Sequence, residues 1–158
     1  MLLVIIKMCE VLSIDHGSCY VEFKFNDNYK INVKISEIAN CCEVFGLYIM
    51  CNEKSVDDID KYVGKELVNL DMIFNYDNFN FDVVQKNIDK INKEISFDLK
   101  DKVMSHNPIF RLYFRGDKYP LDIILYNEHN GYYSHDCYVE IDIVINEYLL
   151  KYDSLYSI

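Results

Sequence analysis

The sequence lacks the short motifs that identify the common catalytic classes. It contains no phosphate-binding glycine loop, no GxSxG nucleophile motif and no HExxH zinc motif. Its six cysteines include no CxxC pair, and a chain of 158 residues can fold without disulfides. We therefore interpret the cysteines as reduced thiols of a cytosolic protein, expect no cofactor, and do not favour an enzyme.

Positive charge is also scarce. Lysine and arginine total 16 against 26 acidic residues, which gives a formal net charge of -10, and Arg111 and Arg115 are the only arginines. Such a chain repels phosphate backbones, so we expect no nucleic-acid partner. The single alanine and the abundance of Asn, Ile, Lys and Tyr are typical of an A/T-rich genome, such as that of a large DNA virus.

Long apolar runs are absent as well. No segment approaches the roughly 18 apolar residues that a membrane-spanning helix needs. Residues 1–6 are apolar, but Lys7 and Glu10 follow them, and neither a basic flank nor a small-residue cleavage site is present. We predict that residues 1–6 form a buried strand, and that the protein is soluble and cytoplasmic, in the host cytosol if viral, with no membrane partner.

The composition that remains is that of a folded protein. Hydrophobic residues make up 51% of the chain and charged residues 27%, which excludes a disordered polypeptide. A chain of this length fits one domain, and it contains no internal repeat or low-complexity linker. We predict a single domain spanning residues 1–158.

Most of the chain has the patterns of β-strands. Alternating apolar residues predict strands over 19–25 and 30–35, joined by a turn at Asn26-Asp27-Asn28. A strand over 41–50 is predicted to be interrupted at Gly46 by a bulge or bend. Further strands are predicted over 66–74, 109–115, 121–126 and 137–144.

Two segments have helical patterns. Ser55 followed by acidic residues predicts a short helix with Ser55 as its N-cap and Gly64 at its C-terminal end. In residues 82–95, apolar residues at spacings of four, three and four favour an amphipathic helix. The tail from Asn146 either forms a helix or packs loosely. The predicted fold class is therefore α+β, mainly an antiparallel β-sheet with one or two short helices.

The segment 126–137 is the richest in functional groups. Its Asn130-Gly131 pair is a strong hairpin-turn signal, so the favoured interpretation of the segment is topological. The functional interpretation is a recognition surface. Its residues are the flat, amphipathic Tyr132 and Tyr133 and the hydrogen-bonding Glu128, His129 and His135.

A metal site at this segment is conceivable but is not predicted. His135 and Cys137 would face the same side of a strand and could supply half of a zinc site, completed by Cys41 or Cys42 and one further ligand. Buried free cysteine more commonly packs as a small hydrophobic group, and a Cys/His nucleophilic pair lacks an activating context. Four acids lie nearby in the sequence, namely Asp122, Asp136, Glu140 and Asp142. Acidic side chains on the outer face of a strand are usually just solvated.

Three short motifs carry a resemblance. Cys41-Cys42-Glu43, the sequence Tyr-Val-Gly-Lys-Glu-Leu at 62–67 and Asn130-Gly131-Tyr132-Tyr133-Ser134 resemble an uncharacterised domain family of phages and large DNA viruses. The resemblance covers residues 38–67 and 109–139. It implies a small, mainly β viral domain whose two motif segments lie side by side, and the family has no established activity to transfer.

These observations lead to an ordered set of functional hypotheses. The first is a non-enzymatic viral accessory protein that binds a protein partner or self-associates through exposed tyrosines and an acidic surface. The alternative is a small-ligand binder with a Tyr/His-lined pocket, and a metal- or cysteine-dependent enzyme comes last. The candidate binding residues are Glu128, His129, Asn130, Tyr132, Tyr133, His135, Cys41, Cys42 and Glu43.

Overall fold

The fold is mainly antiparallel β-sheet. The computed structural model describes residues 9–37, 44–73, 109–128, 136–145 and 148–157. These residues form ten strands: β1 Cys9–His16, β2 Tyr20–Phe25, β3 Lys30–Ile35, β4 Val44–Cys51, β5 Lys54–Ser55, β6 Glu66–Ile73, β7 Ile109–Phe114, β8 Leu121–Glu128, β9 Asp136–Ile145 and β10 Tyr148–Ser157. Two short 3₁₀ turns, Asn26–Asn28 and Ile59–Tyr62, complete the described elements.

The strands follow the order β10-β9-β3-β2-β1-β6-β7-β8-β4-β5, and β1 belongs to both halves of this array. Its first residues, Cys9 and Glu10, pair with β6, whereas the residues from Val11 onward pair with β2. The register of β1 against β2 shifts between Val11 and Ser13, as expected at a bulge. One strand therefore connects the half containing β10 to the half containing β5.

Both halves contribute to one core. Strands β2, β3 and β9 alternate between buried and less buried residues, so each presents one apolar face. Their buried residues, including Phe23 and Ile31, belong to the same hydrophobic cluster as Phe110 and Leu112 of β7. Because one cluster includes residues of both halves, the halves share one core.

The β2–β3 hairpin confirms its prediction. Asn26–Asn28 forms the turn, and Asp27 and Asn28 have φ values of 59° and 62°. Asn and Asp tolerate this left-handed region better than other residues with a side chain. The Phe25 N–H donates to the Tyr29 carbonyl at 2.8 Å and closes the turn.

The predicted helix from Ser55 is wrong, and with it the α part of the α+β class for the described residues, which contain no α-helix. Ser55 pairs with Met50 as part of β5, so it does not cap a helix. Within the predicted helix, Ile59–Tyr62 forms a 3₁₀ turn, and its two buried residues stand three apart, which matches the 3₁₀ repeat. Gly64 does adopt the positive φ expected of it, 87°.

The tail is a strand and not a helix. All ten residues of β10 pair with β9, from Tyr148 opposite Ile145 to Ser157 opposite Asp136. A long neighbouring strand therefore overrides the weak helical spacing of the tail. The predicted strand at residues 1–6 and the predicted helix at 82–95 lie outside the described residues.

Gly46 leaves room for a neighbouring tyrosine ring and does not form the predicted bulge. Strand β4 pairs with β8 in unbroken register through Gly46, which lies opposite Tyr126. A Cβ atom at position 46 would lie 2.9 Å from the Tyr126 hydroxyl oxygen, so the glycine leaves room for this ring.

An ion pair lies between β7 and β8. Arg111 donates from Nε to Asp122 Oδ1 at 2.8 Å and from Nη2 to Oδ2 at 3.1 Å. Burial raises the pKa of Asp122, and the Arg111 guanidinium opposes that shift. The hydrogen bond to Asp122 in turn raises the pKa of Arg111. The arginine thus compensates a carboxylate that the sheet has removed from water.

Candidate interaction surface

The predicted recognition segment falls almost entirely outside the described residues. Glu128 is the last residue of β8, where its backbone pairs with Val44. The other eight candidates lie beyond the described ranges: His129, Asn130, Tyr132, Tyr133, His135, Cys41, Cys42 and Glu43. Their role as a binding surface stays a prediction.

The residues that flank segments 38–43 and 129–135 pair with each other in the sheet. Residues 38–43 stand between β3 and β4, and residues 129–135 stand between β8 and β9. At one end, Val44 pairs with Glu128. At the other, Ile35 pairs with Cys137, and the Ser36 N–H donates to the Asp136 carbonyl at 2.8 Å. The strand end that precedes each segment therefore pairs with the strand end that follows the other segment.

Cys137, half of the conceivable zinc pair, lies in the core. Its side chain is buried, and burial, followed by the charge of Asp136, raises its pKa to about 12. It is thus a protonated thiol at neutral pH. Cys9, Cys19 and Cys51 are free thiols too, and the described residues contain no group of three His, Cys, Asp or Glu arranged to hold a metal ion.

The four acids near this segment divide between the two halves of the array. Asp122 is buried beside Arg111 on β8, whereas the other three lie along β9. Glu140 is held by Lys30 at 2.9 Å and accepts a hydrogen bond from the Tyr138 hydroxyl at 2.7 Å. These contacts lower the pKa of Glu140, the Lys30 hydrogen bond most.

Strand β10 presents the most apolar edge of the described structure. It is the outermost strand of its half, and none of the described strands pairs with its outer side. Three of its leucines are exposed: Leu149 by 53%, Leu150 by 40% and Leu155 by 71%. An exposed edge with apolar side chains can pair with another chain, because its outward N–H and C=O groups lack strand partners. The helical spacing of the tail prevented the prediction of this edge strand. Leu150 and Tyr152 nevertheless stand two apart, as residues on one face of a strand do.

A second surface feature is a basic hollow of about 320 Å³ near the 3₁₀ turn at Ile59–Tyr62. Lys61, Lys65 and Lys118 line it. Asp117 supplies the carboxylate of the lining, and its Oδ1 lies 2.6 Å from Lys65 Nζ. Three cations and one anion leave an excess of two positive charges.

Two tyrosine rings lie beneath these lysines. The ammonium nitrogens of Lys61 and Lys65 lie 5.5 and 5.6 Å from the centre of the Tyr62 ring, and that of Lys118 lies 5.3 Å from the Tyr119 ring. Tyr62 is buried against Phe114, and burial, followed by its contact with Cys51, raises its pKa. The hollow thus combines two tyrosine rings with a positive rim.

No protein-family model, curated protein or solved structure matches this chain. No helix of the described residues has the length and apolar character needed to cross a membrane. The geometry of β10 and of the basic hollow therefore carries the functional argument.

Proposed function

We propose that this chain is a non-enzymatic interaction module whose binding surface is the outer edge of β10. Its partner is an extended polypeptide segment that adds to β10 as a further strand. The observation that carries the proposal is the exposure of Leu149, Leu150 and Leu155 on one edge strand. Backbone hydrogen bonds would supply affinity, and the leucines would select an apolar counterpart.

Exposed leucines occur singly on many proteins, so the arrangement matters more than the number. Leu12 illustrates the difference, because it is 56% exposed on β1, a strand that stands between β2 and β6 in the strand order. The leucines of β10 combine similar exposure with a long strand edge. The A/T-rich composition and the resemblance to viral domains support an accessory role in a large DNA virus.

We expect the double variant Leu149→Asp/Leu155→Asp to lose its polypeptide partner while staying folded, because a charge near each end of the edge strand opposes strand addition. Native mass spectrometry of protein from its natural host would show a complex above the 18.8 kDa chain mass for the wild type only. Hydrogen exchange of the β10 amides would be slowed in that complex.

Leu12→Asp serves as the matched control, since it charges a similarly exposed leucine on a strand other than β10. It should retain the complex. A wild-type chain found only as a free 18.8 kDa species, or a complex equally lost in Leu12→Asp, would overturn the proposal.

The basic hollow favours a second function, binding of a small polyanion. Lysines are point charges, so they suit a flexible phosphate chain better than a bidentate geometry. We expect tripolyphosphate to bind the wild type in calorimetry with a Kd on the order of 0.1 to 1 mM, and Lys61→Gln/Lys118→Gln to weaken it about tenfold.

The matched control for the hollow is Lys24→Gln/Lys34→Gln, which removes the same charge from β2 and β3. Its Lys34 also lies over a tyrosine, 4.9 Å from the Tyr138 ring centre. Equal weakening in both double variants would mean that tripolyphosphate responds only to net charge, and would refute the hollow as a site.

A further inference from the structure

We infer that the segment received by β10 is the β10 strand of a second copy of this chain, paired antiparallel about Tyr152. This inference rests on the proposed function of the β10 edge and names its partner. From position 149 to position 155 the strand reads Leu-Leu-Lys-Tyr-Asp-Ser-Leu. Around Tyr152, opposite charges stand one residue away on either side, and leucines stand three residues away on either side.

Antiparallel pairing of identical strands places residues at equal distances from the centre opposite each other. Lys151 then faces Asp153 of the second copy, and Leu149 faces Leu155 of the second copy. The two-fold symmetry repeats each contact, which gives two opposite-charge pairs and two leucine pairs. Such cross-strand pairs are the units that stabilise a sheet.

Backbone geometry limits the alternatives to this register. Adjacent residues of a strand direct their N–H and C=O groups to opposite sides, so a regular antiparallel pair of identical strands is centred on a residue. Centring on Lys151 would put Leu149 opposite Asp153, and centring on Asp153 would put Lys151 opposite Leu155. Only pairing centred on Tyr152 places the opposite charges across from each other and the leucines across from each other.

The faces of β10 agree with this register. Leu149, Lys151, Asp153 and Leu155 are all exposed, whereas Tyr152 is partly buried against the core. Alternate residues share a face, so the charge pairs and leucine pairs would all lie on the face turned away from the core.

Charges on β9 also favour a second copy. Asp153 lies directly opposite Glu140, a like-charge pair, whereas Lys151 lies opposite Asp142. Glu140, Asp142, Asp153 and Lys151 line a hollow of about 370 Å³ with an excess of two negative charges. Lys151 of the second copy would arrive beside Asp153 and offset this repulsion.

The decisive experiment uses two charge reversals, Lys151→Glu and Asp153→Lys. Each alone puts like charges opposite each other twice in the homodimer, so its Kd should rise roughly tenfold or more. An equimolar mixture restores both opposite-charge pairs, because the two introduced side chains face each other and the two native ones, Lys151 and Asp153, do the same. Sedimentation at a concentration on the order of 100 μM, suited to a small interface, should show dimer for the wild type and the mixture, and monomer for each variant alone.

Lys54→Glu on β5 is the matched control, because it makes the same charge change at the opposite edge and should leave the dimer intact. Circular dichroism verifies that each variant is folded. A monomeric wild type, or a mixture that stays monomeric, would overturn the second-copy inference. If the native complex still contains another polypeptide that protects β10, the proposed function survives that result; if no complex forms at all, both fall.

Discussion

Replacing Arg111 with methionine is expected to lower the free energy of unfolding by about 3 kcal/mol, the lower end of the range for breaking a buried ion pair. The variant leaves Asp122, which is buried, without the guanidinium that donates two hydrogen bonds to it. The lower end applies because the Arg111 side chain keeps 27% of its exposure. Urea denaturation at pH 7 measures the loss.

The other arginine supplies a matched control. Arg115 also donates two hydrogen bonds, to Glu66 at 2.6 and 3.2 Å, but its side chain is 68% exposed. Solvent screens such a pair, so Arg115→Met should change stability far less than Arg111→Met. The double variant Arg111→Met/Asp122→Leu should recover most of the lost stability, because it also removes the buried carboxylate that Arg111→Met leaves without the guanidinium.

The pH dependence of the Arg111 effect has a definite sign. Burial already raises the pKa of Asp122, and removing Arg111 raises it further, so the folded variant favours the protonated acid. Its deficit against the wild type should therefore be full above the folded pKa and shrink as the pH falls toward the ordinary value of 3.8. Equal losses in Arg111→Met and Arg115→Met, or a deficit that grows on acidification, would contradict this account.

Truncating one large core side chain from either half should destabilise the whole protein. Phe23→Ala in β2 and Phe110→Ala in β7 each remove a ring from the shared cluster, and each should cost roughly 3 to 5 kcal/mol. Because both rings belong to one core, we expect each variant to shift one cooperative transition, which is the behaviour of a single domain.

Thermal unfolding followed by circular dichroism and by tyrosine fluorescence tests this expectation. Both signals should shift together in both variants, and Lys24→Ala, next to Phe23 on the exposed face, should leave them unchanged. Two separate transitions, with each variant shifting only one, would mean that the halves fold as independent units and would overturn the single-domain prediction.

Strands β2 and β3 were predicted because their apolar residues alternate with polar ones. Phe23, Ile31 and Val33 alternate with polar residues, and the structure buries all three. In β1 the bulge near Leu12 breaks the alternation, so the strand was not predicted. Strand β10 was missed because its conformation depends on pairing with β9, a contact that local spacing does not encode.

The candidate site was less predictable than the fold. Sequence reasoning concentrated on residues with reactive or hydrogen-bonding side chains, such as His129 and Tyr132, which lie outside the described residues. The surface that carries the proposal consists of leucines at a sheet edge. Edge position depends on strand order, and strand order follows from long-range pairing that a single sequence does not reveal.

The shared strand β1 also decides how this protein can be dissected. It pairs with β2 on one side and β6 on the other, so its hydrogen bonds serve both halves. A fragment starting after His16 would create two new unpaired edges at once, and both would invite aggregation. Neither half is therefore a transferable unit, and any fusion or shortened form has to keep Cys9–His16.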